Sequence, residues 1–256
     1  MPSLPDTRAR LALKLWGGGF TLPGGADEVL SLARPLALSS SSTLLLVGAG
    51  PSAGPLIATE LRPYITYYEA DAELAALAAA QCKRFGNRAV VQPWQEEQPA
   101  FRQAYHHGAL AVEPMRRAKS GPFLEAVTRG LRAGGQLVLV DTILVDTVQN
   151  HSAYGKWERL DGRTVPPPTV LEITQQLTGL GHDIRVQEDI SARHVALVLK
   201  GWLAFVQTLE RRALAPSEAA LVVHEVELWL LRLRLIQGGA LRLMRWHTIW
   251  HNTTSR

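Results

Sequence analysis

The sequence predicts an α/β fold built on a parallel, doubly wound sheet. Three observations carry that expectation. Short apolar runs alternate with longer helical segments along the first 140 residues or so, a strand-helix beat that only a parallel sheet with crossover helices satisfies. The run Thr43-Leu44-Leu45-Leu46-Val47 lacks polar alternation, as a strand covered on both faces does. Glycine clusters stand at the joints, at Gly17-Gly18-Gly19, Gly48-Ala49-Gly50 and Gly134-Gly135.

Each element follows in order. Asp6 to Trp16 reads as an amphipathic helix stopped by the first glycine run, and Ala26 to Ala33 as a second helix ending before Pro35. Ser39 to Ser42 is a polar connector into the strand 43–47, which turns through Gly48–Gly54 into a helix reaching about Leu61. Ile65 to Tyr68 is the next strand, Asp71 to Lys83 an Ala-rich helix, and Ala89 to Val91 and Ala109 to Val112 are strands. A helix from about Phe123 to Leu131 is expected to close at Gly134-Gly135, with a strand from Gln136 to Asp141 leaving that cap. Beyond the prolines at 166–168 come a helix over Thr169 to Leu177 and a strand from Asp183 to Gln187. Two long helices over Ala192 to Arg211 and Pro216 to Ile236, and a strand from Leu241 to Trp246, complete the chain.

Composition narrows the function classes. With 256 residues, 46% hydrophobic and 20% charged, the chain is long enough for one large domain with a sizeable core. One cysteine, Cys82, excludes a disulfide scaffold. No apolar stretch reaches the roughly 20 residues that span a bilayer, and residues 1–6 carry no basic stretch leading into an apolar one, so a cytoplasmic location is expected. The net charge of +4 comes from scattered arginines, with pairs at Arg116-Arg117 and Arg211-Arg212 read as solvated surface, and nucleic-acid binding is not expected. Leu231-Arg232-Leu233-Arg234 reads either as the lining of an anionic site or as the edge of a helix.

Gly48-x-Gly50 directly after a buried strand allows close backbone approach to a ligand. Glu69, nineteen residues after Gly50 at the end of the second strand, stands where a carboxylate accepts hydrogen bonds from both hydroxyls of a ribose. Together they describe a nucleoside site, open to a dinucleotide or to S-adenosylmethionine.

The surrounding motifs choose between these. Leu44-Leu45-Leu46-Val47-Gly48-Ala49-Gly50-Pro51, Glu69-Ala70-Asp71, Leu131-Arg132-Ala133-Gly134-Gly135-Gln136-Leu137-Val138-Leu139 and Gly181-His182-Asp183-Ile184-Arg185-Val186 resemble the motifs of the class I S-adenosylmethionine-dependent methyltransferases, small-molecule type. The resemblance runs over nearly the whole chain. It implies a Rossmann-like seven-stranded sheet with an antiparallel last strand in one domain: a helical cap (1–38), a cofactor-binding half (43–146) and a substrate-side half with two long C-terminal helices (147–256). It implies S-adenosylmethionine as cofactor, held by Gly48, Ala49, Gly50, Glu69, Ala70, Trp94, Gln95 and Val112. Three positions depart from the family pattern: Leu46 stands where an acid often contacts the aminoacyl end, Ser52 replaces a third glycine, and Gln95 replaces the adenine-contacting acid, with Glu96 adjacent.

Methyl transfer is an in-line displacement that asks the protein mainly to position the acceptor and exclude water. Glu113, just past the fourth strand at the ligand-binding edge, is the candidate catalytic acid-base group. Trp16 and Phe20, and Tyr154 and Trp157, are candidate substrate-binding aromatics, each equally readable as a core anchor. His106 and His107 read as a solvated loop before the fourth strand, and His224 as a structural helix residue. No Cys/His ligand spacing suggests a metal. The expected function is methyl transfer to a small-molecule acceptor. A lapsed methyltransferase that binds or scaffolds stays open as an alternative, ahead of a nicotinamide-dependent oxidoreductase.

Overall fold

A computed structural model describes residues 8–145, 152–209 and 215–251. The predicted strand-helix alternation folds into a seven-stranded sheet in the order β3-β2-β1-β4-β5-β7-β6. Strands β1 (Thr43–Val47), β2 (Tyr64–Glu69), β3 (Ala89–Pro93), β4 (His106–Val112) and β5 (Leu131–Leu144) are parallel, and β7 (Leu241–Trp250) runs antiparallel to both β5 and β6 (His182–Asp189). Strand order reverses between β1 and β4, so the crevice outside their carboxyl ends is the natural ligand position.

The unbroken apolar runs are explained by burial on both faces. In β1, Leu44 and Leu46 pack into one core while Leu45 and Val47 pack into the other. In β4, Leu110 and Val112 alternate in the same way with Ala109 and Ala111. Registry carries the layers across the sheet, Leu46 lying beside Leu110 and Leu110 beside Val138. The first core takes α1 (Arg8–Leu15), α2 (Gly25–Ala33), α3 (Ala53–Glu60), α8 (Ser191–Leu209) and α9 (Pro216–Gln237). The second takes α5 (Ser120–Gly130) and α7 (Val170–Gly179). On the sheet's outer flank, α4 (Ala72–Cys82) is capped by Asp71, whose carboxylate accepts from the amides of Glu73 and Leu74, both at 2.9 Å.

Three expectations need correction. Gly134-Gly135 do not cap α5, which ends at Gly130; they lie in the irregular start of β5, where the pairing with β4 shifts between His106 and Gly108 and Gly134 adopts φ +75°. His106 and His107 belong to β4 rather than to a loop, and His106 is fully buried among aromatic rings. Residues 152–161, which carry the candidate aromatics Tyr154 and Trp157, form α6 (Ser152–Asp161). Strand β7 continues four residues past Trp246, because its antiparallel backbone pairing runs on to Ile249 with β5 and to Trp250 with β6. Asp6, Arg211 and Arg212 lie outside the described residues.

Candidate functional site

A cavity of about 390 Å³ opens at the carboxyl ends of β1, β2, β3 and β4, within the range of small-molecule sites. One wall is the strand edge: Gly48, Ala49, Glu69, Ala70, Trp94 and Val112 all face it. Six of the eight predicted cofactor contacts are thus brought together.

The glycine turn is built for closeness, though between parts of the protein. Gly48, Ala49 and Gly50 have φ of +78°, +68° and +94°, so three successive residues occupy the left-handed region and the alanine there is strained. A Cβ on Gly48 would come within 2.4 Å of the Val112 carbonyl oxygen, so β4 presses directly on this glycine. A Cβ on Gly50 would meet the backbone of residues 19–21, with the Thr21 nitrogen at 2.6 Å. Gly50 is therefore off the cavity wall: the glycine admits the N-terminal segment, and the Thr21 amide donates to the Ala49 carbonyl at 3.1 Å. Ser52, the departure from a third glycine, joins this seal by donating its hydroxyl to the Gly18 carbonyl at 2.7 Å.

Glu69 is held in place rather than free. The Tyr67 hydroxyl donates to its Oε2 at 2.7 Å and the Asp71 amide to its Oε1 at 3.1 Å, which fixes the carboxylate at the cavity edge with lone pairs to spare. Burial raises its pKa against the effect of these two donors. At the neighbouring strand end Gln95 turns away from the cavity, and Glu96 faces it, 3.5 Å from the Arg117 guanidinium. Leu46 is fully buried in the first core, so its side chain is nowhere near the cavity mouth.

Glu113, the left-handed residue just past β4, φ +48°, faces the cavity. It is not a free carboxylate. Arg232 from α9 donates to both its oxygens, and the Thr142 hydroxyl donates to Oε1 at 2.6 Å while accepting from Arg232 at 2.7 Å. Burial favours the neutral acid, but the Arg232 guanidinium overrides it and holds Glu113 well below the usual carboxylate range. Behind the pair, His194 is fully enclosed and pushed down to about 3 by burial and by Arg232.

Of the predicted substrate aromatics, only Trp16 reaches the cavity, packed edge-on against Trp229 with ring centroids 4.9 Å apart. Phe20, Tyr154 and Trp157 do not line it: all three are buried in the first core, Phe20 on the segment between α1 and α2 and the other two on α6.

The far wall is charged in a way the sequence reading missed. Arg8 from α1, Arg116 and Arg117 from the turn after β4, Asp161 from the end of α6, and Glu225 and Arg232 from α9 all line it. The alternation Leu231 to Arg234 held the one signal for Arg232; the pair Arg116-Arg117, read as solvated surface, faces the cavity instead.

The whole arrangement has the fold of the class I S-adenosylmethionine-dependent methyltransferases. No protein-family model matches the chain, and no curated protein matches it by sequence. Solved structures do match. Phosphoethanolamine N-methyltransferase 2 of Haemonchus contortus, in complex with phosphomonomethylethanolamine and S-adenosylhomocysteine, superposes with a TM-score of 0.84 at 14% identity over 96% of this chain. The chain spans only 58% of that protein. A protein of Galdieria sulphuraria named as a sarcosine dimethylglycine methyltransferase gives a TM-score of 0.78 at 11% identity, covering 95% of this chain and 98% of its own. Geranyl diphosphate C-methyltransferase of Streptomyces coelicolor A3(2), in complex with magnesium, geranyl diphosphate and S-adenosyl-L-homocysteine, gives 0.69 at 10% identity, covering 88% of this chain and 78% of its own.

Proposed function

We propose that this protein transfers a methyl group from S-adenosylmethionine to a small-molecule acceptor bound in the charged end of the cavity. The observation that carries the reading is Glu69, clamped by Tyr67 and the Asp71 amide at the end of β2 and facing the same space as the Gly48-Ala49 turn and Trp94. A fixed carboxylate beside a backbone turn that lines the cavity and an aromatic face suits a ribose, an aminoacyl end and a base in that order. The bound cofactor supplies a methyl carbon already activated by the sulfonium charge, as it is in the neighbours' complexes.

The chain's own residues do the rest. Glu69 orients the nucleoside, Trp94 covers its base, and α1 with Trp16 and Trp229 closes the cavity against water. Glu113, bound by Arg232 and Thr142, is a weak proton acceptor, so its part is to orient the acceptor. That favours acceptors which attack through their own lone pair or π-system and need no general base. The binding-only alternative draws support from Leu46, whose burial leaves the aminoacyl end without the family's acid.

Calorimetry with S-adenosylhomocysteine, S-adenosylmethionine and NAD in parallel tests this reading. S-adenosylhomocysteine should bind, Glu69→Ala should weaken it by about 1–3 kcal/mol, and Tyr67→Phe by about 0.5–1.5 kcal/mol. NAD binding without S-adenosylhomocysteine binding, or an unchanged affinity in folded Glu69→Ala, defeats the reading.

A further inference from the structure

At the acceptor end of the cavity, three guanidinium groups converge on one carboxylate. Arg8 Nη2 lies 3.2 Å from Asp161 Oδ1, while Arg116 Nε and Arg163 Nε lie 3.4 and 3.2 Å from Oδ2. Glu225 pairs with Arg8 at 2.8 Å. The next pair along the wall, Arg232 with Glu113, balances itself. Three cations therefore face two carboxylates. The remaining acid nearby, Asp141, lies enclosed behind the turn that carries Arg116 and accepts from the Met115 amide at 2.9 Å; burial pushes it up to about 7, so it supplies only part of a charge at neutral pH.

The surplus charge is directed into the cavity. Arg163 is 1% exposed and turned inward, whereas the side chains of Arg116 and Arg8 are 34% and 25% exposed, and both line the cavity. Arg116 spends Nε and Nη2 on the backbone carbonyl of Asp161, and its Nη1 makes no hydrogen bond with a described residue. Burial lowers the Arg116 pKa to about 10, with Arg8 and Arg163 adding to it and Asp161 and Glu113 opposing it. Arg117, one residue on, faces the same space but is balanced by Glu96 at 3.5 Å.

We infer that the acceptor carries an oxyanion group, a phosphate or a carboxylate, which docks on Arg116 and completes the Asp161 cluster. A planar guanidinium with an open edge suits two oxygens of such a group. The inference rests on the methyltransferase reading for the word acceptor, and on the charge balance alone for the anion site. The anion would also hold the acceptor away from the nucleoside end, where Glu69 and Asp71 repel it.

The test titrates the full chain, alone and saturated with S-adenosylhomocysteine, with inorganic phosphate and separately with acetate, ionic strength being held constant with sodium chloride. Saturable binding of at least one oxyanion is expected, weakened about 10- to 100-fold in Arg116→Gln. S-adenosylhomocysteine affinity should stay within about twofold in that variant. The tighter of the two anions identifies the group. Phenylglyoxal modification of the wild-type protein, mapped by mass spectrometry, decides the matter even if Arg116→Gln fails to fold: the bound anion should protect Arg116 and leave the exposed Arg129 reactive. No saturable oxyanion binding, no protection of Arg116, or a loss confined to S-adenosylhomocysteine in Arg116→Gln overturns the inference, the last because the arginine would then hold the donor's own carboxylate. Oxyanion binding without S-adenosylhomocysteine binding supports the anion site and refutes the methyltransferase reading instead.

Discussion

Removing Arg232 probes the wall of the cavity most directly. Its side chain is 5% exposed and it faces Glu113, Thr142 and the ring of Trp229, with His194 close behind. Arg232→Met keeps most of the volume and leaves the Glu113 carboxylate with the Thr142 hydroxyl as its remaining side-chain partner. An uncompensated buried charge costs about 3–5 kcal/mol, a large part of the roughly 5–15 kcal/mol that holds a domain together. Glu113→Gln leaves the opposite orphan, a buried guanidinium, and should cost a similar amount. The double variant buries no lone charge and should lie within about 2 kcal/mol of wild type, so the two losses are strongly non-additive. The sign of the pH dependence follows. In the native protein Glu113 is depressed, so its contribution is present above the unfolded value near 4.5 and is lost as pH falls. In Arg232→Met the guanidinium is gone and burial, opposed by the Thr142 hydrogen bond, raises it, so the variant should approach wild type at pH 5 and fall behind at pH 7. Urea denaturation followed by tryptophan fluorescence and circular dichroism measures all four proteins. Single losses that add to within about 0.5 kcal/mol, or an Arg232→Met protein as stable as wild type at pH 7, would refute the reasoning.

Other perturbations separate structural from binding roles. Gly50→Val forces a branched side chain onto the backbone of residues 19–21 at a φ of +94°; it should lower stability by about 2 kcal/mol or more and speed proteolysis at Gly17–Gly19, and an unchanged cleavage rate would count against the docking of that segment. Leu46→Asp places a carboxylate in a fully enclosed apolar site and should cost at least about 3 kcal/mol without strengthening S-adenosylhomocysteine; tighter binding in a stable variant would restore Leu46 to the cavity. His182, bridged to Thr128 at 2.8 Å and Thr248 at 2.7 Å and lowered by burial to about 4, contributes stability that is present above pH 6.5 and lost toward pH 4. His182→Gln should therefore reduce the slope of stability against pH by about 1.4 kcal/mol per unit across that window, and an unaltered slope would place the neutral histidine elsewhere. Asp141 opposes this trend in both proteins, since a carboxyl raised to about 7 loses stability as pH rises, and the comparison of the two slopes cancels it.

The elements that the sequence announced are those whose cause is local. An unbroken apolar run such as Leu44 to Val47, a cap such as Asp71 or a proline at the start of α9 states its conformation through residues a few positions apart. The acid at the end of β2 was legible for the same reason, since strand length alone sets Glu69 at the sheet's edge. The identity of the cavity's other wall was not. Arg8, Arg116, Asp161 and Arg232 come from four separate parts of the chain, and apart from Arg232, whose alternation with leucines allowed an anionic site, each reads on its own as ordinary surface charge. Only the docking of α1, α6 and α9 over the strand ends brings them within ion-pair distance, and burial there turns scattered charges into a site. The glycine turn makes the same point in reverse. The positive φ values of its two glycines were to be expected from the residue type, but whether the space they open belongs to a ligand or to residues 19–21 depends on which chain segment packs there, and no local pattern encodes that choice.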